Sequence, residues 1–159
     1  MIFRGKSINL NNWVYGFYAN TIDDVHYIIQ KSINGLLYHE VYKDSVGIET
    51  GLNDKDGNSI YTGDIILHNI MSNTKNRYKR IIEFKNGCFG YTRMAGRSGY
   101  IFQPLSHYCY SGRDSIKKRV NFYVIIGNVF DNPDMINEPY MIINASNVPE
   151  NVPNESAKR

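Results

Sequence analysis

The sequence predicts a mainly β protein with few or no long helices, and three observations support this fold class. Its 159 residues include 13 Tyr and 7 Phe against a single Trp, an aromatic balance that favours strands. Short runs rich in β-branched and aromatic residues alternate with clusters of Asn, Asp and Gly at strand-like intervals. No segment near the N-terminus sustains the apolar period of an amphipathic helix. A chain of this length forms one domain, or two small lobes that share a core.

Residues 1–62 predict an N-terminal meander of about four strands. The strand-forming runs are IFRGKSI, WVYGFYAN, VHYIIQKS and GLLYHEV. Asn34 and Gly35 predict a hairpin turn, since both residues tolerate a positive φ. Nearly every position of WVYGFYA is bulky, so alternation does not decide which face of that strand is buried. The open edge of the sheet would be RGKSI or YHEVY, and pairing along such an edge predicts a homo-oligomer.

The stretch TGLNDKDGNSIYTGDIIL, residues 50–67, is polar and then abruptly apolar. With Gly57 at the sixth position of an EF-hand loop, the first and twelfth ligands would be Leu52 and Gly63, which offer no side-chain oxygen. No Gly-Lys-Ser/Thr follows, so the stretch is not a P-loop. Asp56-Gly57 instead predicts a tight turn, after which the apolar run enters a strand.

Residues 63–137 predict a small β-barrel region that packs with the first region as one unit. RIIEF and CFGYTRM flank the hairpin turn KNG, and YIFQPL is a further extended run. VNFYVIIGNVF is the most apolar segment and predicts a central core strand, which Pro133 ends. About five short strands of this kind can curl into a small barrel. Residues 145–159 lack aromatic side chains and predict a disordered tail.

Five segments together resemble the YopX family, a group of small proteins encoded by phages and prophages of Gram-positive bacteria. They are FRGK, WVYG, TGLNDKDGNSIYTGDII, EFKNGCFG and IIGNVFDNPDMI, in that order. The resemblance spans residues 2 to 136 and departs from the family in 69–80 and 93–120. It implies a mainly β fold with a small SH3-like barrel in the C-terminal part. It implies no activity, since the family has no established biochemical function and no agreed catalytic residues.

The residues that could perform catalysis or bind metal do not form a recognisable motif. The four histidines show no metal-binding spacing, and Cys88 and Cys109 are too few for a zinc site or a disulfide framework. YSGRDS is not a nucleophile elbow of the Gly-x-Ser-x-Gly type. The sequence therefore predicts a protein that is not an enzyme and has no metal or cofactor. Without a signal-peptide pattern or an apolar run of about 20 residues, it also predicts a location in the host cytoplasm without membrane contact.

Charge is distributed unevenly along the chain. Residues 75–119 contain 11 basic and 2 acidic side chains, a net charge of +9, whereas the segments on either side are each −3. This segment alternates cations with aromatic rings and predicts a binding surface. Its candidate residues are Arg77, Tyr78, Lys79, Arg80, Arg93, Arg97, Tyr100, Arg113, Lys117, Lys118 and Arg119.

Two functions fit these observations. The sequence favours an accessory protein that binds a host or phage protein, in counter-defence for example. The alternative is a nucleic-acid-binding accessory protein, because cations that follow phosphates and rings that stack on bases are the chemistry of single-strand binders.

Overall fold

The computed structural model of the protein describes residues 1–69, 77–95, 99–105, 123–136 and 142–143. These residues form antiparallel sheets and two short 3-10 helices, Lys43–Ser45 and Pro133–Ile136. The strands are β1 (Phe3–Lys6), β2 (Trp13–Asn20), β3 (His26–Ser32), β4 (Gly35–Val41), β5 (Gly47–Asn53), β6 (Ser59–Tyr61), β7 (Asp64–Asn69), β8 (Arg77–Ile81), β9 (Glu83–Lys85), β10 (Cys88–Met94), β11 (Tyr100–Pro104), β12 (Tyr123–Asn128) and β13 (Ile142–Ile143). The mainly β fold class is therefore confirmed.

The N-terminal sheet has 6 strands in the order β4-β3-β2-β1-β5-β6. Strands β1 to β4 pair antiparallel in succession, which confirms the predicted meander. Gly35 has a φ of 121° and allows the turn between β3 and β4. The prediction of RGKSI as an edge strand was wrong, because β5 pairs with the free side of β1. One outermost strand of this sheet is β4, which contains the first four residues of the other predicted edge segment, YHEVY.

The N-terminal sheet curls until the end of β4 meets the chain that follows β1. Ser7 and Val41 form an isolated bridge, and the Ile8 N–H donates to the Glu40 carbonyl at 2.9 Å. Val14, Ile28 and Val41 are buried on the inner side of this curl. Only the last residues of β4 have partners on both sides, which leaves the start of the strand as an edge.

The DKDGN stretch is a tight turn, as the sequence predicts. Gly57 has a φ of 87°, and the buried Asp54 carboxylate accepts hydrogen bonds from the N–H groups of Asp56 and Asn58, both at 2.9 Å. The same turn contacts β12: the Lys55 N–H donates to the Tyr123 carbonyl at 2.9 Å. The turn therefore joins the N-terminal sheet to the second half of the chain.

The second half contains a 4-stranded sheet, in the order β12-β7-β8-β13, and a 3-stranded sheet, in the order β11-β10-β9. Asn86 and Gly87 both have a positive φ, which confirms the KNG hairpin. Among the described strands, the two sheets do not close into a barrel. The prediction of β12 as a central strand was wrong, since β12 is the outermost described strand of its sheet. Its apolar residues are compatible with an edge position because the turn at Asp54 covers that edge.

Strand β7 contributes to two buried clusters because both of its faces are covered. Ile66 lies in a cluster with Ile60, Tyr91 and other residues, while Ile65 packs on the opposite face near Ile126. Since Ile60 belongs to the N-terminal sheet, the first of these clusters spans both halves of the chain. This shared core makes β7 the central element of the packing.

Some predictions fall on residues outside the described ranges. These include the disordered tail, residues 145–159, and the loop HYCYSGRDSIKKR. Within the described residues, no helix is long and apolar enough to cross a lipid bilayer.

We predict that Ile66→Ala lowers the free energy of unfolding by about 2–5 kcal/mol, because it removes a fully buried side chain from a packed core. Ile22→Ala is the matched control, since Ile22 is fully exposed, and it should change stability by less than about 0.5 kcal/mol. Urea unfolding followed by circular dichroism measures both values. Equal stabilities for the two variants would contradict the placement of β7 in the core.

Candidate functional site

The junction between the two halves contains a buried ion pair. Arg4 on β1 and Asp64 at the start of β7 approach to 2.5 Å between Nη2 and Oδ1, and both side chains are almost completely buried. The other Asp64 oxygen accepts the Tyr61 N–H at 2.7 Å. The Arg4 guanidinium lies 4.7 Å from the ring centroid of Trp13 and 4.9 Å from that of Tyr61. Opposite charge and aromatic rings therefore compensate for the burial of this cation.

The protonation of Asp64 is set by competing effects. Burial raises the pKa of this carboxyl above its usual value, while the Arg4 charge and the Tyr61 N–H act in the opposite direction. Asp131, at the rim of the junction, behaves differently. Hydrogen bonds from Asn128 and Trp13, together with the Lys6 charge, lower the pKa of Asp131 against the effect of its partial burial.

A cavity of about 130 Å³ lies beside this ion pair. Residues from both halves line it, among them Arg4, Trp13, Ser45, Thr62 and Phe130. Most of their polar groups bond to other protein groups: the Ser45 hydroxyl accepts the Lys6 N–H, and the Thr62 hydroxyl accepts the Ile48 N–H. We interpret the cavity as part of the packing between the halves.

Four of the five segments that resemble the family converge at this junction. FRGK supplies Arg4, WVYG supplies Trp13, and the stretch 50–66 supplies Asp64. IIGNVFDNPDMI supplies Asp131, whose Oδ2 accepts the Trp13 Nε1–H at 2.8 Å. One structural feature, the contact between the two halves, therefore brings together segments that are far apart in sequence.

The outer face of the N-terminal sheet carries a row of apolar side chains across β2, β3 and β4. Phe17, Ile29 and Tyr38 are successive partners across β2, β3 and β4, so their side chains lie in one row. Phe17 is 59% exposed, Tyr38 is 61% exposed, and Leu36 on the same face is 56% exposed. The Tyr27 ring meets the Tyr38 ring edge-on, with centroids 6.5 Å apart. We call these five residues the aromatic face.

The aromatic face was missed by the sequence analysis. Its contributing run in β2, WVYGFYA, is bulky at nearly every position, so alternation could not separate its two faces. Gly16 marks the closest approach of the strands: a Cβ at this residue would lie 2.2 Å from the Ile29 carbonyl oxygen. This glycine was the available signal, since the residues on either side of it, Tyr15 and Phe17, must point to the face opposite to its own.

In the part of the basic segment 75–119 that the structure describes, most of the cationic side chains are buried or half-buried. Lys79 and Arg80 are buried: the Lys79 ammonium donates to the Met135 carbonyl at 3.1 Å, and Arg80 donates to the Lys79 carbonyl at 2.8 Å. Arg93 is half-buried and its Nε–H donates to the Gln103 amide oxygen at 3.3 Å. Tyr78 is half-buried, and for Arg77 the structure describes the backbone alone. The remaining cations lie outside the described ranges: Arg97, Arg113, Lys117, Lys118 and Arg119.

Among the predicted residues whose side chains the structure describes, Tyr100 is the exposed one. It is 64% exposed on β11, and Phe102 lies two residues further on the same face of that strand. The Lys85 ammonium is 5.9 Å from the Phe102 ring centroid and also pairs with Glu83 at 2.9 Å. This face therefore combines two aromatic rings with one cation, and the carboxylate of Glu83 partly neutralises that cation.

The titratable residues of the described ranges do not gather into a metal site: they include no group of three or more His, Cys, Asp or Glu side chains that could hold an ion. His26 instead takes part in a structural network. Its Nδ1 lies 2.6 Å from the Tyr18 hydroxyl and its Nε2 lies 3.1 Å from Asp24 Oδ1. Asp24 has a positive φ and also pairs with Lys43, whose hydrogen bond lowers the pKa of that carboxyl. This network holds the turn between β2 and β3.

Comparison with known proteins identifies one family. The family model described as YopX protein matches residues 2–137. None of the curated proteins matches the chain. Among solved structures, the chain is similar to protein EF1440 from Enterococcus faecalis, with 19% sequence identity over 86% of this chain and 98% of that one. The TM-score of 0.44 supports no inference about fold or function.

We predict that Arg4→Met lowers the free energy of unfolding by about 3–5 kcal/mol near neutral pH, because it leaves a buried carboxylate without its counter-charge. The double variant Arg4→Met with Asp64→Asn should lose less, since neither charge remains. Denaturant unfolding measures both.

The pH dependence of the single variant follows from the same argument. Without Arg4 the pKa of Asp64 rises further, and a carboxyl whose folded pKa is raised stabilises the fold at low pH and loses that effect as pH rises through the folded pKa. The deficit of Arg4→Met should therefore shrink as pH falls through the raised pKa of Asp64. A pH-independent deficit, equal in the single and double variants, would show that Arg4 acts through packing alone.

Proposed function

The chain belongs to the YopX family, and from this premise we propose that it is a non-enzymatic accessory protein that binds another protein. The partner is a host or phage protein, met in the cytoplasm of a host cell that harbours a phage or prophage, and one role for such binding is counter-defence. The observation that supports this proposal is the exposure of the aromatic face.

The physical argument concerns contiguity. Single exposed apolar side chains are common on soluble proteins, whereas a contiguous patch marks an interaction surface. Phe17, Ile29 and Tyr38 form a continuous row across three strands, and Leu36 and Tyr27 extend it. Aromatic residues on rigid strands also lose little conformational entropy on binding, which suits them to the centre of a protein interface.

The finer parts of the fold prediction remain proposals. We propose that residues 63–137 form the small SH3-like barrel that the family resemblance implies, packed with residues 1–62 as one unit. The hydrophobic cluster that Ile60 shares with Ile66 supports the packing of the two regions.

The alternative function is binding of nucleic acid through the basic and aromatic segment. The observation that favours it is the pairing of Tyr100 and Phe102 on one face of β11, beside Lys85. Exposed rings on a strand can stack on bases, and nearby cations can follow the phosphates.

We predict that Phe17→Glu abolishes recovery of a protein partner from host lysate, because a charge in the middle of the aromatic face cannot be desolvated without cost. The measurement is affinity capture with quantitative mass spectrometry, on nuclease-treated lysate. Phe84→Glu is the matched control, since Phe84 is similarly exposed on β9 of a different sheet. A partner that both variants retain would rule out the aromatic face as the binding surface.

For the alternative, we predict that Tyr100→Ala weakens binding of a single-stranded oligonucleotide by about 1–3 kcal/mol if its ring stacks on a base. Replacing Lys117, Lys118 and Arg119 with Ala should reduce the slope of log affinity against log salt by up to about three units. Fluorescence anisotropy at about 50 and about 200 mM salt measures both effects. Absence of binding at the lower salt concentration would end this alternative.

A further inference from the structure

Strand β4 has an open edge over the first part of its length. Its pairing with β3 runs without a register shift from Gly35 to Val41. On its other side, hydrogen bonding to described residues begins only at Glu40 and Val41, which contact Ile8 and Ser7. From Gly35 to His39, no other described strand pairs with the outer side of β4.

The open part of β4 lacks the features that protect edge strands. Such edges are usually short, bulged, or interrupted by Lys or Pro. Here the pairing is regular, and Leu36, Leu37 and Tyr38 are 56%, 50% and 61% exposed in succession. No charged residue and no proline occurs between Gly35 and His39. An edge with these properties accepts a further strand.

We propose that the open edge of β4 pairs antiparallel with β4 of a second copy of this chain, about a two-fold axis at Leu37. The open stretch, Gly35 to His39, is centred on Leu37. This register therefore pairs every residue of the stretch and none beyond it. Leu36 of each copy then lies opposite Tyr38 of the other, on the same face of the joined sheet. Aliphatic and aromatic side chains in such cross-strand positions stabilise a sheet.

The choice of a second copy follows from self-complementarity. A two-fold contact needs the same patch to match itself. The open stretch does so, because apolar side chains meet apolar side chains and no like charges are opposed. Ser7 and Ile8 bond to Val41 and Glu40, at the end of the open stretch. In the proposed dimer, the turn between β3 and β4 of one copy therefore lies beside Ser7–Ile8 of the other. This brings together Ile33, which is fully exposed, and Ile8, which is also exposed.

The dimer would enlarge the aromatic face, although the inference does not depend on the proposed function. Tyr38 and Leu36 lie on both the edge strand and the aromatic face. Two copies joined at β4 therefore present their aromatic faces as one continuous surface across the shared sheet.

The test uses sedimentation velocity on the full chain at about 50 µM. The wild type should sediment with twice the chain mass of 18.3 kDa. The double variant Leu36→Lys with Tyr38→Lys should be a monomer, because the register places two pairs of lysines opposite each other across the interface. The double variant Leu36→Lys with Tyr38→Glu should remain a dimer, because each lysine then faces a glutamate of the other copy.

The controls separate this proposal from simpler explanations. Ile136→Lys introduces a lysine at an exposed apolar residue far from β4 in sequence and should leave the dimer intact. Circular dichroism checks that each variant is folded. A monomeric wild type, or an assembly that both lysines leave unchanged, overturns the proposed interface. Loss of the dimer in the Lys/Glu variant as well overturns the register centred on Leu37.

Discussion

The ion pair between Arg4 and Asp64 is the interaction on which the relation between the two halves depends. Its members come from β1 and β7, and each is removed from water by the contact itself. Such a pair adds little net stability, because desolvation offsets most of the attraction. It does discriminate between arrangements, since any shift of one sheet against the other would leave a buried charge without its partner. The Trp13 and Tyr61 rings that pack on the guanidinium further restrict how the two sheets can be arranged.

The junction also determines which part of the outer sheet face remains open. At Trp13 and Tyr15 the face is covered, because Phe130 packs edge-on against Trp13 and the Tyr61 ring lies 5.8 Å from that of Tyr15. Two residues further along β2, at Phe17, the cover ends. One strand thus contributes to the contact between the halves with its first residues and to an exposed surface with its middle residues.

The sequence was sufficient to predict local structure such as turns. It was insufficient to predict which face of a strand is buried and in what order the strands pair. Turns were predictable because they depend on single residues with special backbone angles, as at Gly57 and Gly87. The order of strands was not, because it depends on partners distant in sequence: β1 became central through its pairing with β5. Likewise, the apolar composition of β12 predicted burial but not the turn at Asp54 that covers its edge. The aromatic face escaped for the same reason, since exposure is a property of neighbours.

Charge is the feature for which the sequence was least informative. The segment 75–119 counts Lys79 and Arg80 among its cations, but both are buried and bonded to carbonyl groups within the protein. A net charge summed along the chain therefore overstates the cations that a partner can reach. The aromatic face shows the opposite relation, because its β2 run is bulky at nearly every position and yet Phe17 is largely exposed. Of the two candidate surfaces, the apolar one is thus supported by a continuous row of side chains across three strands, whereas the basic one is supported by composition and by two rings beside Lys85.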